Sequence, residues 1–191
     1  MNAATAAASA LSPARVASVG TEDMLSADDF KAAFRNHPAG VAVITADAGD
    51  GPVVLTATSV ISVSASPALL VFSLSAFSST APALARAETL VVHLLGADQM
   101  ALAKTFATSG IDRFADTSGW SRLVTGEPVL NDAPTWLRGR IVDRMQAGDS
   151  TVVAVQVLQA SVTPPAPGAE TSPLVYHNRA WHRLSGLSAI N

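Results

Sequence analysis

Strand-forming runs follow one another along this chain through turns rather than through helices, and that restricts the folds open to it. Gly40-Val41-Ala42-Val43-Ile44-Thr45-Ala46 is rich in β-branched residues, which suit a pleated surface. Ala48-Gly49-Asp50-Gly51 then ends in Asp-Gly, a strong hairpin signal. A return strand begins at Val53 and has a successor before Pro67; Ala68–Leu74 and Thr89–Leu95 read as further strands. Trp136–Met145 and Thr151–Val162, joined by Gln146-Ala147-Gly148-Asp149-Ser150, read as one long hairpin. Leu174–His177 and Trp181–Leu184 flank a tight Asn178-Arg179 turn. The tally is about seven strands and three helices, without the strand–helix alternation of a βαβ repeat. The pairing predicted is therefore largely antiparallel, and strands in this number close into a small barrel.

The return strand leads into a stretch of small hydroxyl residues, at 56, 58, 59, 62, 64 and 66. Strand interiors favour bulkier side chains, whereas Ser and Thr offer hydrogen bonds without bulk. Two readings fit: an edge strand with one solvated face, or a narrow wall on which a flat ligand lies.

Composition narrows the function classes. With 191 residues and 49% apolar content the default is a single globular domain with a sizeable core. The net charge is −3 and the arginines are scattered, which excludes the clustered basic face of a nucleic-acid binder. The absence of cysteine removes disulfides, thiolate metal sites and a cysteine nucleophile, and fits a reducing, cytoplasmic setting. His37, His93, His177 and His182 lack metal-binding spacing, so no metal is expected. No apolar run approaches the ~18 residues of a membrane span. Residues 1–24, rich in Ala and Ser, read as a flexible tail or alternatively an organelle presequence, with one domain over residues 25–187.

Ser26-Ala27-Asp28-Asp29 carries a helix-start signal, and Phe30, Ala33 and Phe34 fall on one face of the helix it opens. Pro38 closes that helix near His37, which reads as a helix-end residue or a ligand contact. In Ser75–Pro82, hydroxyls precede a proline that suits a first helical turn; this is an ordinary cap or an anion site. Asp98 is expected to cap a helix through Phe106, with Gly110 as its left-handed stop. Ile111–Phe114 reads as a loop, and Ser118–Ala133 as mostly turns around Trp120 and Pro128. Trp120 and Trp136 read as core or interface. Arg138 and Arg140 read as a solvated or dimer-facing stripe, or alternatively as a clamp for a nucleotide phosphate. No GxGxxG or Walker A motif occurs.

From about Phe30 to Leu184 the chain resembles the flavin reductase family, the reductase partners of two-component flavin monooxygenases. The resemblance rests on Phe34-Arg35 with Pro38–Thr45; Leu55–Ser59 with Ser62-Val63-Ser64 and Pro67; Phe77-Ser78-Ser79-Thr80; Val91–Leu95; Phe106 and Arg113-Phe114; Gly148-Asp149; and Pro173–Tyr176 running to Trp181. It implies a mainly β fold, an antiparallel Greek-key split barrel of the FMN-binding type, and a homodimer with flavin near the subunit interface. It also implies reduction of FMN, FAD or riboflavin by NADH or NADPH, and a partner monooxygenase.

Carried onto this sequence, the resemblance places Thr56, Ala57, Thr58, Ser59, Val60, Ser62 and Val63 along the flavin ring and ribityl chain. Phe77, Ser78, Ser79 and Thr80 meet the phosphate, with Ala83 and Leu84 in the helix behind and Ser109-Gly110 near the far end of the flavin. Tyr176, His177, Asn178 and Arg179 lie where nicotinamide approaches. Three positions depart from the family pattern. Ala76 stands where many relatives have a basic residue, His93 where Asn is usual, and Ser150 where a Gly-Asp-His motif has His. Hydride transfer needs little acid–base machinery, since the cofactors carry the chemistry and the protein stacks them, so no catalytic acid is expected. The Ser150 departure keeps a second reading open: a non-enzymatic flavin-binding or electron-carrier protein.

Overall fold

The computed structural model describes residues 24–164, 167 and 172–190. Apart from Met24, the tail expected over residues 1–24 lies outside them, as does most of the proline-rich loop after Pro164. Contacts divide the chain into residues 1–34 and 35–191.

The described part of the first unit is a helix, α1 (Ala27–Arg35), whose last residue belongs to the second. Its start follows the sequence signal: Ser26 Oγ accepts from the Asp29 N–H at 3.1 Å and donates to the Asp29 carboxylate at 2.6 Å. The Phe30 and Phe34 rings meet at 4.8 Å, as i, i+4 spacing requires.

In the second unit the described strands are β1 (Ala39–Gly40), β2 (Ala42–Asp47), β3 (Pro52–Ala57), β4 (Ile61–Ala65), β5 (Ala68–Ser75), β6 (Thr89–Leu94), β7 (Trp120–Arg122), β8 (Pro128–Leu130), β9 (Thr135–Ala147), β10 (Ser150–Val162), β11 (Leu174–His177) and β12 (Ala180–Arg183). Helix α2 (Ala81–Arg86) precedes β6, and α3 (Met100–Ala107) follows it. The main sheet has seven strands in the order β3-β2-β6-β9-β10-β5-β4, with antiparallel neighbours throughout. Strands β1, β11 and β12 form a smaller sheet, and β7 pairs with β8.

The first and last strands of the main sheet are consecutive in sequence. Only Thr58, Ser59 and Val60 join β3 to β4. A flat sheet of this size would hold its edges roughly 29 Å apart at ~4.8 Å per gap. The backbone from Ala57 to Ile61 reaches about 14 Å at most. The sheet therefore curls until its edges approach, giving an antiparallel barrel split between β3 and β4. Ile44, Phe72, Leu90, Val92, Val153 and Val155, all almost fully buried, fill its interior.

Strand β2 is buried on both faces. Ala42 and Ile44 point into the barrel, while Val41 and Val43 join a second cluster with Ala103, Phe106, Phe114, Leu130 and Leu174 outside it. This is why Val41–Ala46 reads as an apolar run interrupted only by Thr45.

Several elements differ from expectation. The 118–133 segment, expected as turns, holds the β7–β8 hairpin. Each of its strands has three residues, too few for a period-2 pattern to register. The β10 partner of Gly139 runs so close that a Cβ there would lie 2.9 Å from the Gln156 carbonyl oxygen. Helix α3 is preceded by a 3₁₀ turn over Ala97–Gln99 and ends at Ala107, so left-handed Gly110 (φ +79°) turns the loop beyond it. Arg138 lies in no solvated stripe: it pairs with Glu127, and Arg140 bonds to Gln156.

Candidate functional site

Helix α3 packs across β3, where Thr56 Oγ1 donates to the Ala103 carbonyl at 3.4 Å. The segment after β5 folds back to meet the C-terminal end of α3. Together they enclose a cleft of about 250 Å³ lined by Val54, Leu55, Thr56, Phe77, Ser78, Ser79, Phe106, Ala107, Ser109 and Arg113. Five of the expected site residues, Thr56, Phe77, Ser78, Ser79 and Ser109, are thereby brought together. They come from three separate parts of the chain.

The hydroxyls divide into presenting and supporting groups. Thr80 is 6% exposed and Ser78 Oγ lies 2.8 Å from its Oγ1, so within the 78–80 cluster Ser78 and Ser79 line the cleft and Thr80 stands behind them. Helix α2 has only six residues and no side-chain cap bond; cleft polarity comes from side chains rather than from a long helix dipole. Phe77 is 83% exposed at the rim.

The other expected flavin-wall residues surround the split of the barrel. Ser59 Oγ accepts from the Ser73 N–H at 3.0 Å and lies 3.4 Å from the Ser73 carbonyl. A side chain thus continues the ladder where β4 has not yet begun, fixing the crossover. Val60 packs on the barrel core, while Ala57 and Leu84 belong to it. Thr58, Ser62 and Val63 are exposed, Ala83 is half-buried, and Gly110 follows Ser109 in its left-handed conformation.

The expected nicotinamide residues lie on the smaller sheet and are not part of the cleft. Tyr176 stacks edge-on with Trp181 at 5.1 Å and packs on the cluster containing Phe106. His177 and His182 stand 5.5 Å apart, ring to ring, and Asn178 and Arg179 form a left-handed turn with φ of 47° and 62°. A larger groove of about 610 Å³, lined by residues such as Leu94, Asp98, Val162 and Arg183, holds none of the expected site residues.

Sequence reasoning did not place Arg113 in the site. Its Nε donates to the Thr108 carbonyl at 2.8 Å and its Nη1 to the Val54 carbonyl at 3.3 Å. These bonds fix the guanidinium on the α3 and β3 side of the cleft that Ser78, Ser79 and Ser109 also line. The Arg113-Phe114 pair was visible in the sequence, but its place depends on α3 packing against β3. Hydroxyls and one fixed cation around a small cleft suit an anionic group such as a flavin phosphate.

The departures at 76 and 150 are neighbours. Ser150 pairs with Ser75, and the Ala76 N–H donates to the Asp149 carbonyl at 2.9 Å. The third, His93, is buried on the outer face of the barrel. Its Nδ1 lies 3.0 Å from the Val43 carbonyl, and its Nε2 accepts from the Leu130 N–H at 3.1 Å. It is a brace for β8 and takes no part in the cleft. Among the described residues no group of three or more potential metal ligands occurs, and no helix is long and apolar enough to cross a membrane.

The chain is similar to proteins described as flavin oxidoreductases and flavin reductases. A protein described as an NADH:FMN oxidoreductase from Rhodococcus qingshengii is 45% identical over 161 residues, 84% of this chain and 83% of that protein. The reductase component of a 4-nitrophenol 4-monooxygenase/4-nitrocatechol 2-monooxygenase from Rhodococcus opacus is 29% identical over 170 residues, 84% of this chain and 91% of that one. The crystal structure of a flavin reductase domain protein from Arthrobacter sp. FB24 superposes with a TM-score of 0.77 at 36% identity, covering 85% of this chain and 98% of that one. The model of the flavin reductase-like domain matches residues 34–185, and with the split barrel and its cleft this establishes that the chain belongs to the flavin reductase-like family.

Proposed function

We propose that the protein is an NAD(P)H:flavin oxidoreductase that reduces FMN, FAD or riboflavin and supplies reduced flavin to a separate monooxygenase. The observation that carries this reading is the cleft between β3, the Phe77–Ser79 turn and the end of α3, in a chain of flavin reductase type. The names of its relatives, an NADH:FMN oxidoreductase and a monooxygenase reductase component, support the nicotinamide donor and the partner.

Bound flavin supplies the hydride-accepting ring and reduced nicotinamide the hydride. The chain's part is to hold and orient. Thr56 to Val60, with Ser62 and Val63, form the wall for the ring and ribityl chain, and the Ser59–Ser73 bonds keep that wall fixed. Ser78 and Ser79 hydrogen-bond the phosphate, Thr80 supports Ser78, and Ala83 and Leu84 back them. Ser109-Gly110 closes the cleft from the α3 side. Tyr176, His177, Asn178 and Arg179 receive the nicotinamide.

The working unit in this reading is the domain over residues 25–187, supported by the family match over 34–185. It acts in the cytoplasm as a homodimer. Ile61, Val63, Met145 and Leu158, each at least half exposed on β4, β9 and β10, leave apolar surface that a second copy would cover.

The test is steady-state NADH and NADPH oxidation with FMN, FAD and riboflavin in turn. Turnover with at least one pair is expected; none with all pairs overturns the reading. Loss of the motif histidine at Ser150 favours a second reading, a flavin carrier, which tightly co-purifying flavin without nicotinamide oxidation would establish.

A further inference from the structure

Among the described lysines and arginines only Arg113 and Arg138 are half-buried; the rest are exposed. Arg138 has its counter-charge in Glu127. Among the described residues Arg113 has no carboxylate partner. Two carbonyls bind its Nε and Nη1, and Nη2 has no protein partner among the described residues. Partial burial of a cation without a counter-charge is costly, and neutral carbonyls fix its direction without neutralising it. The side chain lines a cleft beside Ser78, Ser79 and Ser109, and none of the cleft's lining residues is acidic. The cleft therefore offers a preset guanidinium and the hydroxyls of Ser78, Ser79 and Ser109 to a ligand that brings negative charge, the Thr56 hydroxyl being bonded to the Ala103 carbonyl.

We infer that Arg113 is the specificity determinant that makes this chain select a flavin bearing a phosphate, FMN above all, over riboflavin. This rests on the reductase reading for the presence of flavin, and goes beyond it in assigning discrimination among flavins to one side chain. It also answers the loss of charge at Ala76. The cation is supplied from the far side of the cleft, by the loop after α3, instead of by the turn that carries the hydroxyls. Riboflavin lacks the phosphate and leaves the guanidinium without a counter-charge. FAD presents its phosphates in a diester chain and falls between the two.

The experiment is a fluorescence titration of riboflavin, FMN and FAD against the full chain without nicotinamide, repeated on Arg113→Ala, Arg113→Gln and Arg113→Lys. Wild type is expected to bind FMN about 10- to 100-fold more tightly than riboflavin, the range of a charge-assisted hydrogen bond. Arg113→Ala and Arg113→Gln lose that preference with riboflavin affinity changed less than about twofold, Arg113→Lys restores part of it, and added salt weakens only FMN and FAD binding. Equal weakening for all three flavins would mean that Arg113 merely braces its loop, and would overturn the assignment. So would a wild type with no FMN preference, or variants that keep it. Failure of the reductase reading shows separately, as absence of NADH and NADPH oxidation, and leaves the titration able to decide Arg113.

Discussion

The backbone N–H of Leu130 donates to Nε2 of His93 across 3.1 Å. A backbone N–H can only donate, so Nε2 is the acceptor, and the proton sits on Nδ1, donated to the Val43 carbonyl. His93 is thus a neutral imidazole clamped between β2 and β8. Burial lowers its pKa from 6.5 to about 4, against the opposing bond to Val43. The unfolded chain takes up the proton near pH 6.5 and the folded chain only near 4. Stability is therefore full above 6.5, falls as pH drops through that window and levels off below it, by about 3 kcal/mol at most. His93→Leu strands the Leu130 N–H and Val43 carbonyl and is expected to cost about 2–4 kcal/mol. Denaturant titrations across pH 4–7 check both points: the variant should lose the slope that wild type shows.

Glu127 and Arg138 lock the β7–β8 hairpin to β9, with Nη2 2.7 Å from the carboxylate. Burial raises the Glu127 pKa, but bonds from Arg138, Thr125 and Thr89 outweigh it and hold it at about 2. Its stabilisation is present above pH 4.5 and lost as pH falls towards 2. Glu127→Gln leaves Arg138 without its counter-charge and is expected to cost about 2–3 kcal/mol, somewhat below the ~3–5 of a fully buried pair. A lower Tm at pH 7, converging with wild type near pH 2, is the expected measurement.

Gly139 is required by close approach. Its Cβ in Gly139→Ala would meet Gln156 O at 2.9 Å and Val155 Cγ1 at 2.3 Å. Val155 fills the barrel, and the Gln156 carbonyl is backbone, so neither yields freely. A loss of about 1–3 kcal/mol is expected by calorimetry, with flavin specificity unchanged because neither Gly139 nor the residues its Cβ would meet line the cleft.

In the cleft, Ser79→Asp adds a carboxylate where an anion is to bind. FMN affinity should fall by about tenfold or more, with riboflavin much less affected; equal loss for both would show that the cleft does not hold the phosphate. Thr58→Trp fills the proposed ring wall instead, and should abolish activity with all three flavins while leaving Tm within a few degrees.

For the assembly, Ile61→Lys with Val63→Glu places charge on exposed β4 apolar positions. Sedimentation should show a dimer for wild type and a monomer for the double variant. A wild type that sediments as monomer overturns the homodimer reading.

The strands that run through hairpins were legible from the sequence because β-branched runs and Asp-Gly or Gly-Asp turns leave local signals, and Ser26 announced α1 by its cap. The β7–β8 hairpin was not, since its order is tertiary: it is pinned by His93 and by the Thr45 hydroxyl bond to Pro128. The hydroxyls of the cleft were visible as clusters, and so was their grouping through the family resemblance. Arg113 was not, because nothing local marks one loop arginine as unpaired. That property depends on where every carboxylate ends up after folding. His93 likewise stood out only as a departure from the usual Asn, and its two backbone partners show it to be architecture.

The crossover Thr58-Ser59-Val60 is a short tether across the seam of the barrel. Its length sets how far that seam opens, so the proposed flavin wall and the girth of the barrel are one mechanical variable. Residues inserted here would slacken both together, and this part of the chain has little freedom to vary in length even where its side chains are free to change.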